Sequence, residues 1–386
     1  MLNTNFRSFE IILIAIIIIE LYVLFIVPSF YSNGDSCSTE SSQNITIKSM
    51  NPSKKEYDYL LRDFRIKASF NSCAYDNFHN THVKLCALEN VIKSGARFLD
   101  FEIYNRRQEP VISVSNVEDF DRKYTFNELS FSKTMQYIKD HCFERTYVNC
   151  PNPDDPLLLH FRIRSNENII CDKMSKTLRS VFGDQNLLGA NFSYGTHARN
   201  LGTIPIKALC KNGKYKGEKN TNPKVIIIVD KNTNKVFEST KLFEDVNMES
   251  GGPFLQILRD TDIRNAPSQD ELKEKNKTNM TIAIPDAIPE DAGDLASMDC
   301  CVPRSNNIDY NRNFALGCQI VTMCYQNMDK RLKDYTEYFN KQGSAFVLKP
   351  ENLRHVPITI SKPTPQKKEN SFAKRTVSSD FFSFNI

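Results

Sequence analysis

Apolar positions along this chain fall into one long run, several short runs and a few helical stripes. From Ile11 to Val27 every position is apolar except Glu20, and with Phe9 and the edge Pro28-Ser29-Phe30 the run reaches the length that crosses a bilayer. No small-x-small pair follows it closely, so the pattern predicts an uncleaved anchor over residues 1–30 rather than a signal peptide. Arg7 precedes the span, whereas Asp35 and Glu40 follow it and the first lysine is Lys48. That asymmetry predicts a cytosolic N-terminus and a lumenal or exterior domain. Residues 31–55, rich in Ser, Asn and Thr, read as a stalk.

Beyond the stalk, continuous β-branched and large apolar runs predict buried strands at RFLDFEIY (97–104), PLLLHFRI (156–163), KVIIIVD (224–230), GCQIVTM (317–323) and AFVLKP (345–350). A shorter strand-like run ends at Asn71. Between the runs, Val83, Leu85, Leu88, Val91 and Ile92 keep helical spacing over Thr81–Ser94, with Asn80 or Thr81 as the cap and Gly95 as the stop. Residues 126–139 and 330–341 read as helices too. Strand and helix units repeated in this way predict an α/β chain whose parallel sheet closes as a TIM-type (β/α) barrel. Residues 231–300 are rich in Asn, Lys, Asp and Glu and break the rhythm, which predicts a linker with surface loops; 361–386 reads as a basic extended tail.

Composition narrows the function classes. With 386 residues, 25% charged and 40% hydrophobic, the chain can bury a barrel-sized core. A net charge of +4 from 50 basic and 46 acidic side chains, without a Lys/Arg stripe carrying aromatics, argues against nucleic acid. Eleven cysteines without a CxxC pair disfavour a zinc ribbon and suit some disulfides on the oxidising side of a membrane; the pairing is not readable.

Two stretches resemble a known family. ALGCQIVTMCYQN (315–327) followed by GSAFVLKPENLR (343–354) is similar to the Y half of the phosphoinositide-specific phospholipase C barrel, where the pattern is GCQxVALNxQT and then GYVLKPxxLR. KASFNS (67–72), RFLDFE (97–102), QEPVI (108–112) and PLLLHFR (156–162) resemble the ASSHNT, RCxELD, HGxT-leading and PVILSLE segments of its X half. The resemblance implies a barrel of the PLC-like phosphodiesterase superfamily, with an X-like half over 56–230, the start of the Y-like half within 231–300 and its remainder over 301–360. The layout, without further regulatory domains, also resembles proteins carried by large DNA viruses, which would make it virion-associated.

That resemblance implies what an active site would need. Such enzymes cut a phosphodiester with two histidines that move protons or stabilise charge, and with Ca²⁺ held by an Asn and three carboxylates. Here the two His positions fall on Phe70 and Val114. Asn71, Asp100 and Glu102 match part of the Ca²⁺ set, but its remaining carboxylate falls on Arg162, a fixed cation that would pair with Asp100 or Glu102. Lys231 is the one loose match to a phosphate-binding lysine. HNT at 79–81 imitates the catalytic tripeptide, but thirty residues separate Phe70 from Asp100, the family interval, against twenty-one from His79. The expectation is therefore a barrel that is catalytically inactive and binds no cofactor, with a phosphoinositide head group or protein partners as its ligands. The competing expectation is a phosphoric diester hydrolase using Ca²⁺ and relocated groups such as His79, His82 or His160.

Overall fold

The computed structural model describes residues 2–22, 45–76, 78, 81–115, 123, 125–143, 150–189, 192–194, 200–215, 218–233, 235–286, 307–356 and 374–385. The chain divides into two compact units, residues 1–354 and 355–386.

The apolar runs become the staves of a parallel barrel. In chain order the strands are β1 (Phe64–Ser69), β2 (Phe98–Arg106), β3 (Glu109–Ser113), β4 (Leu129–Ser130), β5 (Leu157–Arg164), β6 (Lys214–Tyr215), β7 (Glu218–Lys219), β8 (Val225–Asp230), β9 (Met248–Ser250), β10 (Leu255–Arg259), β11 (Met280–Ile284), β12 (Ile320–Met323) and β13 (Phe346–Leu348). The main sheet runs β10-β11-β12-β1-β2-β5-β8-β9, and every pair along that path is parallel. β9 and β10 end the path from opposite sides without being laddered to each other, so the barrel is nearly closed. Helices Leu85–Lys93, Phe131–Cys142, Asn168–Asn186 and Gln269–Thr278 fill crossovers between parallel strands, and Lys330–Gln342 joins β12 to β13.

Alternation along the strands decides what the barrel encloses. On β2 and β5 the odd-numbered Phe101 and Phe161 pack together, and Phe161 meets Phe131 of the covering helix, so odd positions face outward. The even positions therefore point inward. The helix expected over Thr81–Ser94 begins only at Leu85, and its cap position, Lys84, makes no side-chain cap bond. Thr81 is used instead in a bridge to Thr125, and Asn80 lies outside the described residues. The second helix starts at Phe131 rather than 126, capped by Ser130, whose hydroxyl accepts from the Lys133 N–H. AFVLKP supplies β13, which is antiparallel to β1 and not a barrel stave.

Three expectations about boundaries change. Part of the stalk belongs to the domain: Ile47 and Met50 are buried, the Met50 N–H donates to Asp155 Oδ1 at 2.6 Å and the Thr46 hydroxyl to the Asn340 carbonyl at 2.5 Å. Sparse apolar residues in a polar stretch are enough to dock it. The stretch read as linker and start of the Y-like half contains the barrel strands β9, β10 and β11, so its described part belongs to the barrel from Met248 onward; 287–300 lies outside the described residues. The tail ends not simply extended but as an antiparallel hairpin of β14 (Thr376–Ser379) and β15 (Phe382–Asn385).

Among the described residues no helix is long and apolar enough to cross a membrane. The helix Leu2–Leu21 contains Arg7, Glu10 and Glu20, and the apolar run continues to Val27 outside the described residues. Cys73, Cys142, Cys150, Cys171, Cys210 and Cys318 are free and buried, Cys324 is buried, and Cys86 is disulfide-bonded.

Two lysines are walled into the barrel base. Lys67 donates to the Ser94 carbonyl at 2.5 Å, Lys349 to the Asn276 carbonyl at 2.9 Å, and burial lowers each from 10.5 to about 7. Below about pH 7 both folded and unfolded chains carry these protons, so the cost of burying the ammonium groups is fully present. Between about 7 and 10.5 the unfolded chain binds more protons at these two sites, and their contribution to stability rises with pH. The thermal midpoint is accordingly expected to climb between about pH 7 and 9, and Lys67→Met to flatten the climb by its own share, as read by circular dichroism melts; above about 9 the buried Cys73, Cys142 and Cys318 thiols, raised from 9.0 by burial, keep protons that the unfolded chain loses and oppose the climb.

Candidate functional site

Parallel pairing of β2 with β5 sets Asp100 beside His160, Glu102 beside Arg162 and Tyr104 beside Arg164. All six are even-numbered, inward positions, and from Asp100 to Tyr104 and from His160 to Arg164 they run toward the C-terminal strand ends, where parallel barrels hold their chemistry. β8 and β9 add Asp230 and Ser250, which pair with each other. The barrel mouth is thus lined by charge.

At the centre lies the Arg162 guanidinium, 4% exposed. Its Nε and Nη2 donate to the two oxygens of Asp100 at 3.0 and 2.7 Å, a bidentate pair, while Nη1 donates to Glu102 Oε1 at 2.5 Å. Nη2 also donates to Asn71 Oδ1 at 2.7 Å. Above the group, the Phe70 ring has its centroid 4.5 Å from Cζ, a cation–π contact. Phe70 in turn meets Phe78 edge-on at 5.6 Å. Burial would raise the Asp100 pKa, but the Arg162 charge and the His160 bond outweigh it and hold the carboxyl well below the usual range. Burial likewise opposes the charge on Arg162, and Asp100 and Glu102 reverse that.

The surrounding backbone is shaped to this cluster. Asn71 sits at φ 45°, a left-handed conformation that asparagine tolerates, and there its N–H donates to Asp100 Oδ2 at 2.9 Å. The Ser72 hydroxyl accepts from the Asp100 N–H at 3.0 Å. Glu102 is held by the Tyr104 hydroxyl at 2.7 Å and the Ser115 N–H at 3.1 Å on Oε2, with Arg164 Nη2 3.9 Å from Oε1. Val114, just before Ser115, is buried and apolar.

His160 forms a second branch. Its Nδ1 lies 2.7 Å from Asp100 Oδ1 and its Nε2 lies 2.8 Å from the Ser250 hydroxyl. Because anionic Asp100 can only accept, Nδ1 carries a proton. The Ser250 hydroxyl also lies 3.4 Å from Asp230 Oδ1. Asp100, His160 and Ser250 are each 0% exposed, so this line of three is sealed from solvent.

The other candidates fall elsewhere. The His82 ring lies tilted against Phe126, with centroids 5.3 Å apart, and burial, with Lys84 nearby, lowers its pKa. His79 lies outside the described residues. Lys231 pairs with Glu238 at 3.0 Å and Glu249 at 3.3 Å rather than standing as a lone cation. Reading the sequence missed Ser250, Asp230, Arg164 and Arg259; Arg259 on β10 is held by the Pro285 carbonyl at 2.5 Å and feels the charge of Glu102. The usable signal was the alternation of polar residues in DFEIY and HFRIR, which a reading of both runs as continuously apolar concealed.

The Asn71, Asp100 and Glu102 oxygens do not fit Ca²⁺. Each already accepts from one guanidinium, and among the described residues no group of three or more His, Cys, Asp or Glu could hold a metal ion. Further out, a cavity of about 240 Å³ is lined by Tyr104, Asn105, Arg164, Ser165, Asn166 and Glu167.

No family model and no curated protein matches this chain. Among solved structures it is similar to L. pealei PLC21, at 13% identity and TM-score 0.53, over 82% of this chain and 40% of that one. It is similar to S. officinalis PLC21 at 14% identity and TM-score 0.53, over 82% and 39%. A Ca²⁺-dependent phosphatidylinositol-specific phospholipase C from Streptomyces antibioticus matches at 9% identity and TM-score 0.40, over 75% and 98%. The chain spans about two fifths of the length of the two PLC21 structures and shares the fold of that part.

Proposed function

We propose that this chain is a phospholipase-C-like barrel without phosphodiesterase activity, used as a binding or structural module at a membrane. The arrangement around Arg162 carries the reading. Where the resemblance calls for a metal and a proton-moving imidazole, the barrel holds a guanidinium bound to Asn71, Asp100 and Glu102 and a phenyl ring laid upon it. Neither group moves a proton at neutral pH. The apolar run up to Val27 supports a single membrane span with the N-terminus cytosolic and the barrel lumenal or exterior, as does the exposure of Ile12, Ile14, Ile18 and Ile19. A phosphoinositide head group or a partner protein would meet the barrel rim, with no cofactor taking part.

The test is turnover. Full-length protein incubated with labelled phosphatidylinositol and its bisphosphate, with and without Ca²⁺, is expected to release no soluble inositol phosphate above the protein-free blank. Release that depends on enzyme concentration would overturn the reading. A second reading, hydrolysis of a phosphatidylinositol-type diester by relocated groups, is favoured by the Ser250–His160–Asp100 line, whose order matches nucleophile, base and orienting acid. It requires the sealed mouth to open, and it predicts turnover that Ser250→Ala abolishes.

A further inference from the structure

The C-terminal hairpin has two unlike faces. Val377 pairs with Phe384 and Ser379 with Phe382, so these four share one side, while Thr376, Ser378, Ser383 and Asn385 share the other. Phe382 and Phe384 stack at 5.5 Å, and they are 54% and 50% exposed. Phe381, in the turn, is 96% exposed. A two-stranded hairpin is marginal in water, and this one turns its aromatic side to solvent. Something must cover that side for it to persist.

We infer that the cover is an anionic lipid surface, with the phenylalanine face laid into the headgroup boundary and the polar face outward. Charge argues for this occupant. Lys374 and Arg375 open the hairpin, and from Lys362 through the hairpin the sequence has five basic side chains against two acidic ones, Glu369 and Asp380 in the turn. Aromatic rings beside basic side chains are the combination that binds negatively charged bilayers, each basic group adding to the attraction. The inference goes beyond the proposed tether and the inactive barrel, since it concerns a second contact at the other end of the chain.

The chain contains no tryptophan, so one introduced tryptophan reports its own surroundings. Full-length Phe384→Trp and Ser383→Trp would be placed in nanodiscs of phosphatidylcholine, with or without phosphatidylserine, whose acyl chains carry bromine as a quencher. Trp at 384 is expected to be quenched in the phosphatidylserine discs and Trp at 383 to stay reachable by aqueous acrylamide. Omitting phosphatidylserine should lower the bound-to-free ratio of the hairpin by roughly fivefold for each of Lys374 and Arg375. Phe382→Trp repeats the first arm should Phe384→Trp disturb the hairpin. Equal quenching at 383 and 384, or equal quenching without phosphatidylserine, would overturn the inference. So would a Trp at 384 shielded from acrylamide yet untouched by bromine, which would mean protein covers the face. None of these readouts depends on turnover.

Discussion

Arg162→Met is expected to cost the barrel about 3–5 kcal/mol, the range found when one partner of a buried ion pair is removed. Methionine fills comparable space, so the loss is electrostatic rather than a cavity. The variant leaves Asp100 and Glu102 buried without their shared counter-charge, and Asn71 Oδ1 without its donor. Urea unfolding at pH 7 measures the effect. The pH dependence supplies a control with a definite sign. In the native chain Asp100 is held below its ordinary 3.8, so its contribution is present above that value and lost as pH falls through the depressed folded value. Without Arg162 the largest lowering influence is gone and burial dominates, so Asp100 is driven toward the neutral acid. The deficit of the variant should therefore narrow as pH falls toward 3.8. Neutralising the partners in the same chain, with Asp100→Asn and Glu102→Gln, should return much of the stability at neutral pH. A deficit below about 1 kcal/mol would mean that the cluster behaves as an exposed ion pair does.

How much of this site could be read in advance follows from where its information lies. The barrel was legible because β2, β5 and β8 are runs of large apolar residues long enough to be recognised singly. β9 and β10, of 3 and 5 residues, were not, since Met248–Ser250 carries no apolar run and Leu255–Arg259 sits in a charged neighbourhood. Asn71, Asp100, Glu102 and Arg162 were legible one by one through a resemblance in motif. The pairing of Arg162 with Asp100 or Glu102 was expected too, but that one guanidinium holds both acids and Asn71 at once was not, because it is set by the register of β2 against β5 and of β1 against β2, contacts between segments far apart in the chain. Ser250 and Asp230 escaped notice for the same reason: each is unremarkable alone and becomes part of the cluster only through the β8–β9 pairing. Phe70 shows the opposite case. As an isolated replacement it reads only as the loss of a histidine, yet in the structure it is also the ring that covers Arg162. The phenyl ring and the guanidinium make sense as a pair, since each fills the space beside the other.

Arg162→Glu should turn this barrel into a calcium-responsive one. The change places a third carboxylate where Asp100, Glu102 and the Asn71 amide oxygen converge, an all-oxygen set of the kind that Ca²⁺ prefers. Without a divalent ion the variant should be less stable than Arg162→Met, because three buried carboxylates repel where two did before. Ca²⁺ should then restore stability by mass action, about 2.7 kcal/mol at a hundred times the dissociation constant. Mg²⁺ should do less, since it demands a tighter octahedral shell and sheds water reluctantly. The native chain should show no shift in melting midpoint over the same titration, its guanidinium already holding the place among those oxygens. Differential scanning fluorimetry of both proteins against Ca²⁺ and Mg²⁺ reads all of this. A native chain stabilised by Ca²⁺ as strongly as the variant would show that Arg162 does not hold that place. A variant indifferent to Ca²⁺ would show that the acidic pair and Asn71, though gathered by one guanidinium, do not form a cradle for a metal ion.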